Sequence, residues 1–255
     1  MFQSDPFLLI SDVVRRETQT YEIVLKAVAS GYHTPGEIGQ AIGLSSSHIS
    51  PYLKRLVELY LLERRVPATL PPAKWNTTNI SRYYLRDPYL RFYFRFIEPN
   101  KYLVEQGLTN RLWEKVAAQF RAFVALTFEE LCRTWALQMG QAGQLPLDLD
   151  VVGTHWSPRV QIDVVAVDWQ AKQILLGESK WGEGLVGRKI ITDLIESRAP
   201  KALADLPDAG RGWTAHYAFF ARTGFTEAAI AEVRTHQAIL RTLPQLYQEL
   251  HTTSK

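Results

Sequence analysis

Ile174-Leu175-Leu176-Gly177-Glu178-Ser179-Lys180, read with the earlier run Val160-Gln161-Ile162-Asp163-Val164-Val165-Ala166-Val167, decides how the second half of this chain folds. The earlier run is apolar except for Gln161 and Asp163, and the later one is apolar until Glu178 and Lys180. Both read as strands, joined by a hairpin turn over residues 168–172. Residues two apart on a strand share a face, so Glu178 and Lys180 point the same way. An acid within one strand, and an acid plus a lysine on one face of its hairpin partner, are costly in a packed core. A divalent cation, Mg²⁺ or Mn²⁺, held by Asp163, Glu178 and the carbonyl of Ser179 would offset that cost, because such ions take a few carboxylates completed by water and phosphate oxygens. Lys180 would then orient or deprotonate an attacking water, or steady charge developing on phosphorus. The plainer alternative is an ion pair between Glu178 and Lys180 at an exposed strand end, with Asp163 capping a neighbouring loop.

Outward from these strands, residues 149–152 read as a third strand. Before them, residues 109–139 read as one long amphipathic helix, with Trp113, Val116, Phe120, Phe123, Val124, Phe128, Leu131 and Trp135 at three- and four-residue steps. Cys132 falls within it as a small buried hydrophobe. Glu129 and Glu130 follow Phe128 directly, which sets one of them close to the apolar face; Glu129 is positioned to assist Asp163 and Glu178.

The first hundred residues have another pattern. Ile23, Val24, Ala27 and Val28 mark a first helix that stops at Gly31. Thr34-Pro35 opens a second, with Ile38, Ala41 and Ile42 as its inner face and Gly43 as its end. Gly43-Leu44-Ser45 turns into a third helix carrying Ile49, Tyr52, Leu53, Leu56, Val57 and Leu59, where Pro51 limits how early the helix can begin. Strands at 61–66 and 81–85 follow, separated by a Pro-rich stretch. Three helices, two of them joined by a tight turn, and then a hairpin make a winged helix-turn-helix. As a reader of duplex DNA, its third helix would present Ser46, Ser47, His48, Ser50, Lys54 and Arg55, and its wing Arg64 and Arg65. As a packing or docking module it would need none of them. Residues 81–101 interleave arginines with aromatics; a buried linker helix with Leu90, Phe94 and Ile97 as its stripe is preferred to a stacking platform for single strands.

Charge and length agree with this division. The 255 residues, 46% hydrophobic and 22% charged, suffice for two domains. Expected boundaries are 1–80 for the winged helix, 81–108 for the linker and 109–255 for the second domain. Residues 1–100 hold 12 Lys or Arg against 9 Asp or Glu, whereas residues 101–255 hold 17 of each. The net charge of +3 therefore belongs to the first module. The apolar run at 6–10, flanked by Asp5 and Asp12, is too short for a signal peptide's core. No window approaches the roughly 18–20 apolar residues of a membrane span. The single cysteine excludes an intramolecular disulfide and a cysteine-built zinc site, and a cytoplasmic setting is expected.

The acids and their context resemble the PD-(D/E)XK nuclease superfamily: Glu129 on a helix, Ile162-Asp163-Val164, then Gly177-Glu178-Ser179-Lys180-Trp181. The chain resembles more closely the C-terminal nuclease-like region of archaeal and bacterial AAA-type ATPases, in which an ATPase core is followed by a winged helix and then by this domain. That likeness runs through Tyr84-Leu85-Arg86-Asp87-Pro88, Arg91-Phe92-Tyr93-Phe94-Arg95-Phe96, Phe128-Glu129 and Phe219-Phe220-Ala221-Arg222-Thr223-Gly224-Phe225. It implies an α+β or α/β chain: a winged helix followed by a restriction-endonuclease-like αβββαβ domain. Gln161 stands where the family often has a second acid, and Ser179 where it often has a cysteine. The resemblance also implies a P-loop ATPase, either as a partner or as a preceding domain.

Other motifs carry less. Gly182-x-Gly184-x-x-Gly187 imitates a dinucleotide fingerprint, but no parallel βαβ unit with a ribose-binding acid is expected after it. The same stretch nearly spells a P-loop, yet Arg188 and Lys189 occupy the Lys and Ser/Thr positions, so no nucleotide site is expected. The glycines read as a flexible loop with Arg188 and Lys189 available to phosphates. The six histidines lack metal-ligand spacing, and no Gly-x-Ser-x-Gly elbow exists. Asp193 and Glu196 read as solvated carboxylates. The expected function is metal-dependent hydrolysis of phosphodiesters in duplex DNA. The alternative is a non-catalytic regulatory or DNA-binding module of an ATPase system. Homo-oligomerisation stays open and no membrane partner is expected.

Overall fold

Hydroxyl caps and glycines set the helix ends of the first hundred residues in the computed structural model, which describes residues 18–252. The apolar run at 6–10 lies outside the described residues. α1 spans Thr18–Ala29, α2 Pro35–Ile42 and α3 Ser46–Glu58. Thr34 accepts the Glu37 amide while the Glu37 carboxylate accepts the Thr34 amide at 2.9 Å, a reciprocal capping box. Gly43 closes α2 in the left-handed region, at φ 73°. Thr34→Ala is expected to lower stability by about 1 kcal/mol; an unchanged urea midpoint would show that the box contributes nothing.

The apolar faces differ in detail from the periodicity. Val24, Leu25, Ala27 and Val28 of α1, Ile38 of α2, and Ile49, Leu53 and Leu56 of α3 are buried, whereas Ile23 is 39% exposed and Ala41 is exposed. α3 starts directly after the Gly43-Leu44-Ser45 turn, with Pro51 inside it. The helix begins five residues earlier because Ser45 caps it, its side chain accepting the His48 amide at 3.3 Å. β1 (Leu62–Arg65) and β2 (Arg82–Leu85) pair antiparallel from Leu62↔Leu85 to Arg65↔Arg82.

The segment expected as one linker helix is broken. α4 (Pro88–Phe92) passes into a π turn at Tyr93–Ile97, a 3-10 turn at Glu98–Asn100 and then α5 (Lys101–Glu105). The π turn shifts the stripe, so Arg91, Tyr93, Phe94, Phe96 and Ile97 are buried while Leu90 is only partly so. α6 spans Thr109–Gln141. Its buried residues include Val116, Phe123, Phe128, Cys132, Trp135 and Met139, whereas Trp113 and Phe120, expected in the stripe, are 61% and 41% exposed.

Five strands follow in the order β3-β4-β5-β6-β7: Val151–Trp156, Gln161–Asp168, Gln173–Lys180, Thr214–Ala221 and Ile239–Thr242. The first three are antiparallel neighbours, and β5–β6 and β6–β7 are parallel. Connections run through α7 (Arg188–Thr192), a π turn at Asp193–Arg198, α8 (Ala199–Leu203) and α9 (Glu227–Thr235), and α10 (Leu243–Thr252) ends the chain's described part. One sheet face packs Val165, Val167, Ile174, Leu176 and Phe219 on Ile191, Leu194, Ala202 and Val233. The other packs Val164, Ala166, Leu175 and Phe220 on Phe128, Cys132, Trp135 and Met139 of α6 and on Leu246. A sheet covered on both faces explains why its strands read as nearly continuous apolar runs. Two expectations are corrected: β3 lies two to four residues later than 149–152, and a parallel crossover does follow the glycine-rich loop.

The chain forms two compact units, divided differently from the expected boundaries. One holds the described residues up to Arg65 together with Asn79–Gln119; the other holds Val66–Thr78 and everything from Phe120 onward. Within the second unit, the Ala68 amide donates to the Thr154 carbonyl at 2.8 Å. Thr69 Oγ1 lies 2.7 Å from His155 Nδ1, and His155 Nε2 lies 3.1 Å from Asp205 Oδ2. Residues 66–78 thereby line the outer edge of β3. No described helix is long and apolar enough to cross a membrane.

Candidate functional site

The β4–β5 ladder includes Val164↔Gly177, and one further step in that register sets Asp163 opposite Glu178. Residue 177 has little room for a side chain at this point. A Cβ on Gly177 would stand 3.0 Å from Val164 Cβ and 3.2 Å from a ring carbon of Phe220. Ser179 donates twice to Asp163 Oδ2, through its amide at 3.1 Å and its hydroxyl at 3.2 Å. Glu178 is only 4% exposed, and both its oxygens meet cations: Oε1 meets Lys180 Nζ, and Oε2 lies 2.6 Å from Arg198 Nη2. Arg198 further pairs through Nε with Asp193 Oδ2 at 3.0 Å and donates through Nη1 to the Gln161 carbonyl at 3.3 Å. On α6, Arg133 Nη1 donates to the Asp163 carbonyl at 2.9 Å and stands 3.7 Å from Glu129 Oε2.

Asp163, Glu178, Ser179, Lys180 and Glu129 thus belong to one electrostatic neighbourhood. Burial first, and then the charge of Asp163, pushes Glu129 up to about 7 against the pull of Arg133. Burial and the charge of Glu178 push Asp163 up to about 6, although the Ser179 amide, Lys180 and Arg198 pull the other way. Perturbed carboxylates gathered in one place are a mark of functional sites. Both folded values are raised, so the fold favours the protonated forms. Their contribution to stability is complete below the ordinary carboxylate range and is lost as pH rises through about 6 and about 7. Without added metal, the melting temperature is therefore expected to fall between pH 5 and 8. Asp163→Asn should flatten that slope, and an equally steep slope in the variant would show that Asp163 does not contribute.

The ion pair of the plainer alternative is also present, but it is buried at Glu178 rather than at an exposed end, and Asp163 binds Ser179 rather than capping a loop. Arg133 and Arg198 were missed in the sequence. The Glu129/Arg133 spacing of four on a helix signals the first; nothing local signals the second, because a π turn aims it. Asp193 is an ion-pair partner, not simply a solvated acid. Burial also pushes the Cys132 thiol far up, which keeps it inert.

Among the described residues, no three His, Cys, Asp or Glu side chains are grouped as a self-sufficient metal cage. Two carboxylates and a carbonyl remain a fitting set for a hard cation that keeps waters. Asp163 and Glu129, both raised by burial and like charge, are relieved by a proton or a cation alike.

The other residues singled out lie elsewhere. On α3, Ser46, Ser47, His48, Ser50, Lys54 and Arg55 are all exposed, on the side away from Ile49 and Leu53. Arg55 lies 3.2 Å from Glu58. Arg64 and Arg65 are on β1, with Arg65 2.8 Å from Glu63 and its guanidinium 4.4 Å above the Tyr84 ring. At the start of α7, Lys189 is exposed while Arg188 is bound to Glu232 of α9 at 2.7 Å.

Residues 93–192, which include Glu129, Asp163 and Glu178, match a known family. It is described as archaeal and bacterial proteins of unknown function (DUF234). The chain is also similar to an uncharacterized protein of Methanocaldococcus jannaschii, 32% identical over 165 residues, which is 65% of this chain and 36% of that protein. The match thus spans about a third of that relative's length. Among solved structures, a protein from Vibrio cholerae is aligned over 92% of this chain and 50% of its own, at 13% identity and a TM-score of 0.31, too low to establish a common fold.

Proposed function

We propose that the chain is a winged helix-turn-helix joined to a PD-(D/E)XK-like domain, and that it hydrolyses phosphodiesters in duplex DNA with Mg²⁺ or Mn²⁺. The observation that supports this most is the convergence of Asp163 and Glu178 at the ends of adjacent strands, with Ser179 fixed on the one and Lys180 on the other. Asp163, Glu178 and the Ser179 carbonyl would hold the cation, which supplies Lewis-acid stabilisation of charge on phosphate oxygens. Lys180 Nζ orients the attacking water. Glu129, poised near 7, can accept that water's proton as oxygen bonds to phosphorus and the leaving alkoxide departs.

The exposed residues of α3 are proposed to hold the duplex backbone. Replacing Lys54 and Arg55 together by Ala should weaken binding uniformly across sequences and reduce the salt dependence of log K by roughly 1–2. A salt dependence like that of wild type would remove α3 from the interface. The test of the whole reading is plasmid nicking or cutting by the purified chain in Mn²⁺, abolished by Asp163→Asn. A second reading is favoured by the greater length of the M. jannaschii protein: a regulatory module that works with a P-loop ATPase. It predicts duplex binding and no cleavage.

A further inference from the structure

The π turn at Asp193–Arg198 has a chemical result. There the Ala199 amide reaches back five residues to the Leu194 carbonyl. In an α-helix, side chains five residues apart point roughly 140° away from each other. The wider turn instead brings Asp193 and Arg198 to 3.0 Å. Turns of this kind are rare and recur at functional sites.

The side chain so aimed is Arg198, whose guanidinium meets three separate oxygens. Nη1 donates to the Gln161 carbonyl at 3.3 Å, while Nε lies 3.0 Å from Asp193 Oδ2 and Nη2 2.6 Å from buried Glu178 Oε2 as ion pairs; Oε2 itself accepts no hydrogen bond. Lys180 covers the other oxygen of Glu178. A divalent cation that approaches this carboxylate meets a like charge at each oxygen, so it competes with the side-chain cations already there. Lys180 sits on a long, flexible stem and its side chain is 41% exposed, whereas Arg198 is anchored at two further points.

We propose that Arg198 is a built-in competitor for the divalent cation at Glu178. Its Nη2 holds Oε2 in the metal-free chain and yields it when the cation enters, while Asp193 and Gln161 keep the guanidinium beside the site. This rests on the cation-binding reading above. The displaced nitrogen then lies next to where a phosphodiester would sit, and a guanidinium fork matches phosphate oxygens well. The competition lowers affinity for the bare cation and leaves a donor for the substrate anion.

The experiment is calorimetric titration of Mn²⁺ into the full chain, with folding checked by circular dichroism. Arg198→Met is expected to bind Mn²⁺ about tenfold tighter than wild type, a change of 1.4 kcal/mol. A merely structural arginine would give the opposite sign, since its loss loosens the site. Arg198→Lys, too short to span Glu178 and Asp193 together, should fall between the two and carries the test if Arg198→Met does not fold. Equal or weaker binding in the folded variants, with Asp163→Asn still abolishing uptake, overturns the competitor and leaves the cation site standing. No uptake by wild type or any variant overturns both.

Discussion

Asp163→Asn and Lys180→Ala are each expected to reduce cleavage of duplex DNA in Mn²⁺ by at least about 100-fold, the usual cost of removing one preorganised electrostatic or acid–base group. The two changes should not multiply. In the proposed mechanism Asp163 and Lys180 would act on one displacement, as a cation ligand and a water-orienting ammonium, so the double variant should be little worse than either alone. Asp163→Asn is close in shape and keeps an oxygen able to accept from Ser179, so folding should survive; by relieving a buried like-charge pair it should even raise the metal-free melting temperature at pH 8. Circular dichroism and a nicking assay on the same preparations separate the two effects. Activity that survives either substitution would sink the mechanism.

The second large effect concerns stability. Trp135 is 1% exposed, meets the Phe220 ring edge-on at 5.4 Å, lies 5.3 Å from the Arg241 guanidinium and donates its indole N–H to Glu249. Trp135→Ala should cost about 3–5 kcal/mol in transfer and cavity terms. It also removes a donor to Glu249, whose pairing with Arg241 at 2.9 Å stays in place. Urea unfolding of the full chain should show a clear drop in midpoint, smaller for Trp135→Phe, which keeps the ring contact but not the donor. A midpoint equal to wild type would mean that α6 does not hold the sheet as described.

Legibility followed how local the causes are. The ends of α2 were readable because Thr34, Pro35 and Gly43 act within one or two turns of themselves; the Glu37 half of the capping box was not read. β5 was readable because its apolar run ends on the charged pair Glu178 and Lys180 of the candidate site. The site acids were legible for the same reason: burying charge on a strand is conspicuous. The start of α3 was readable from the Gly43-Leu44-Ser45 turn, and Pro51 lies inside the helix without ending it. β7 is four half-buried residues whose only reason to extend is the neighbouring edge of β6, which no local pattern contains. Both π turns were invisible, and with them Arg198, since hydrogen bonding five residues back leaves no compositional trace.

The path of residues 66–78 bears on how the protein can be dissected. Cutting at 80 or at 108, where composition changes, would yield a C-terminal fragment without Ala68 and Thr69. The Thr154 carbonyl would lose its donor, His155 would keep only Asp205 and Arg159 around it, and β3 would present an unprotected strand to other molecules. Such a fragment is expected to be prone to self-association even with every catalytic candidate intact, so its inactivity would say nothing about the chemistry. Insolubility of a truncation at either point is a property of the cut, and enzymology on this protein belongs to the uncut chain.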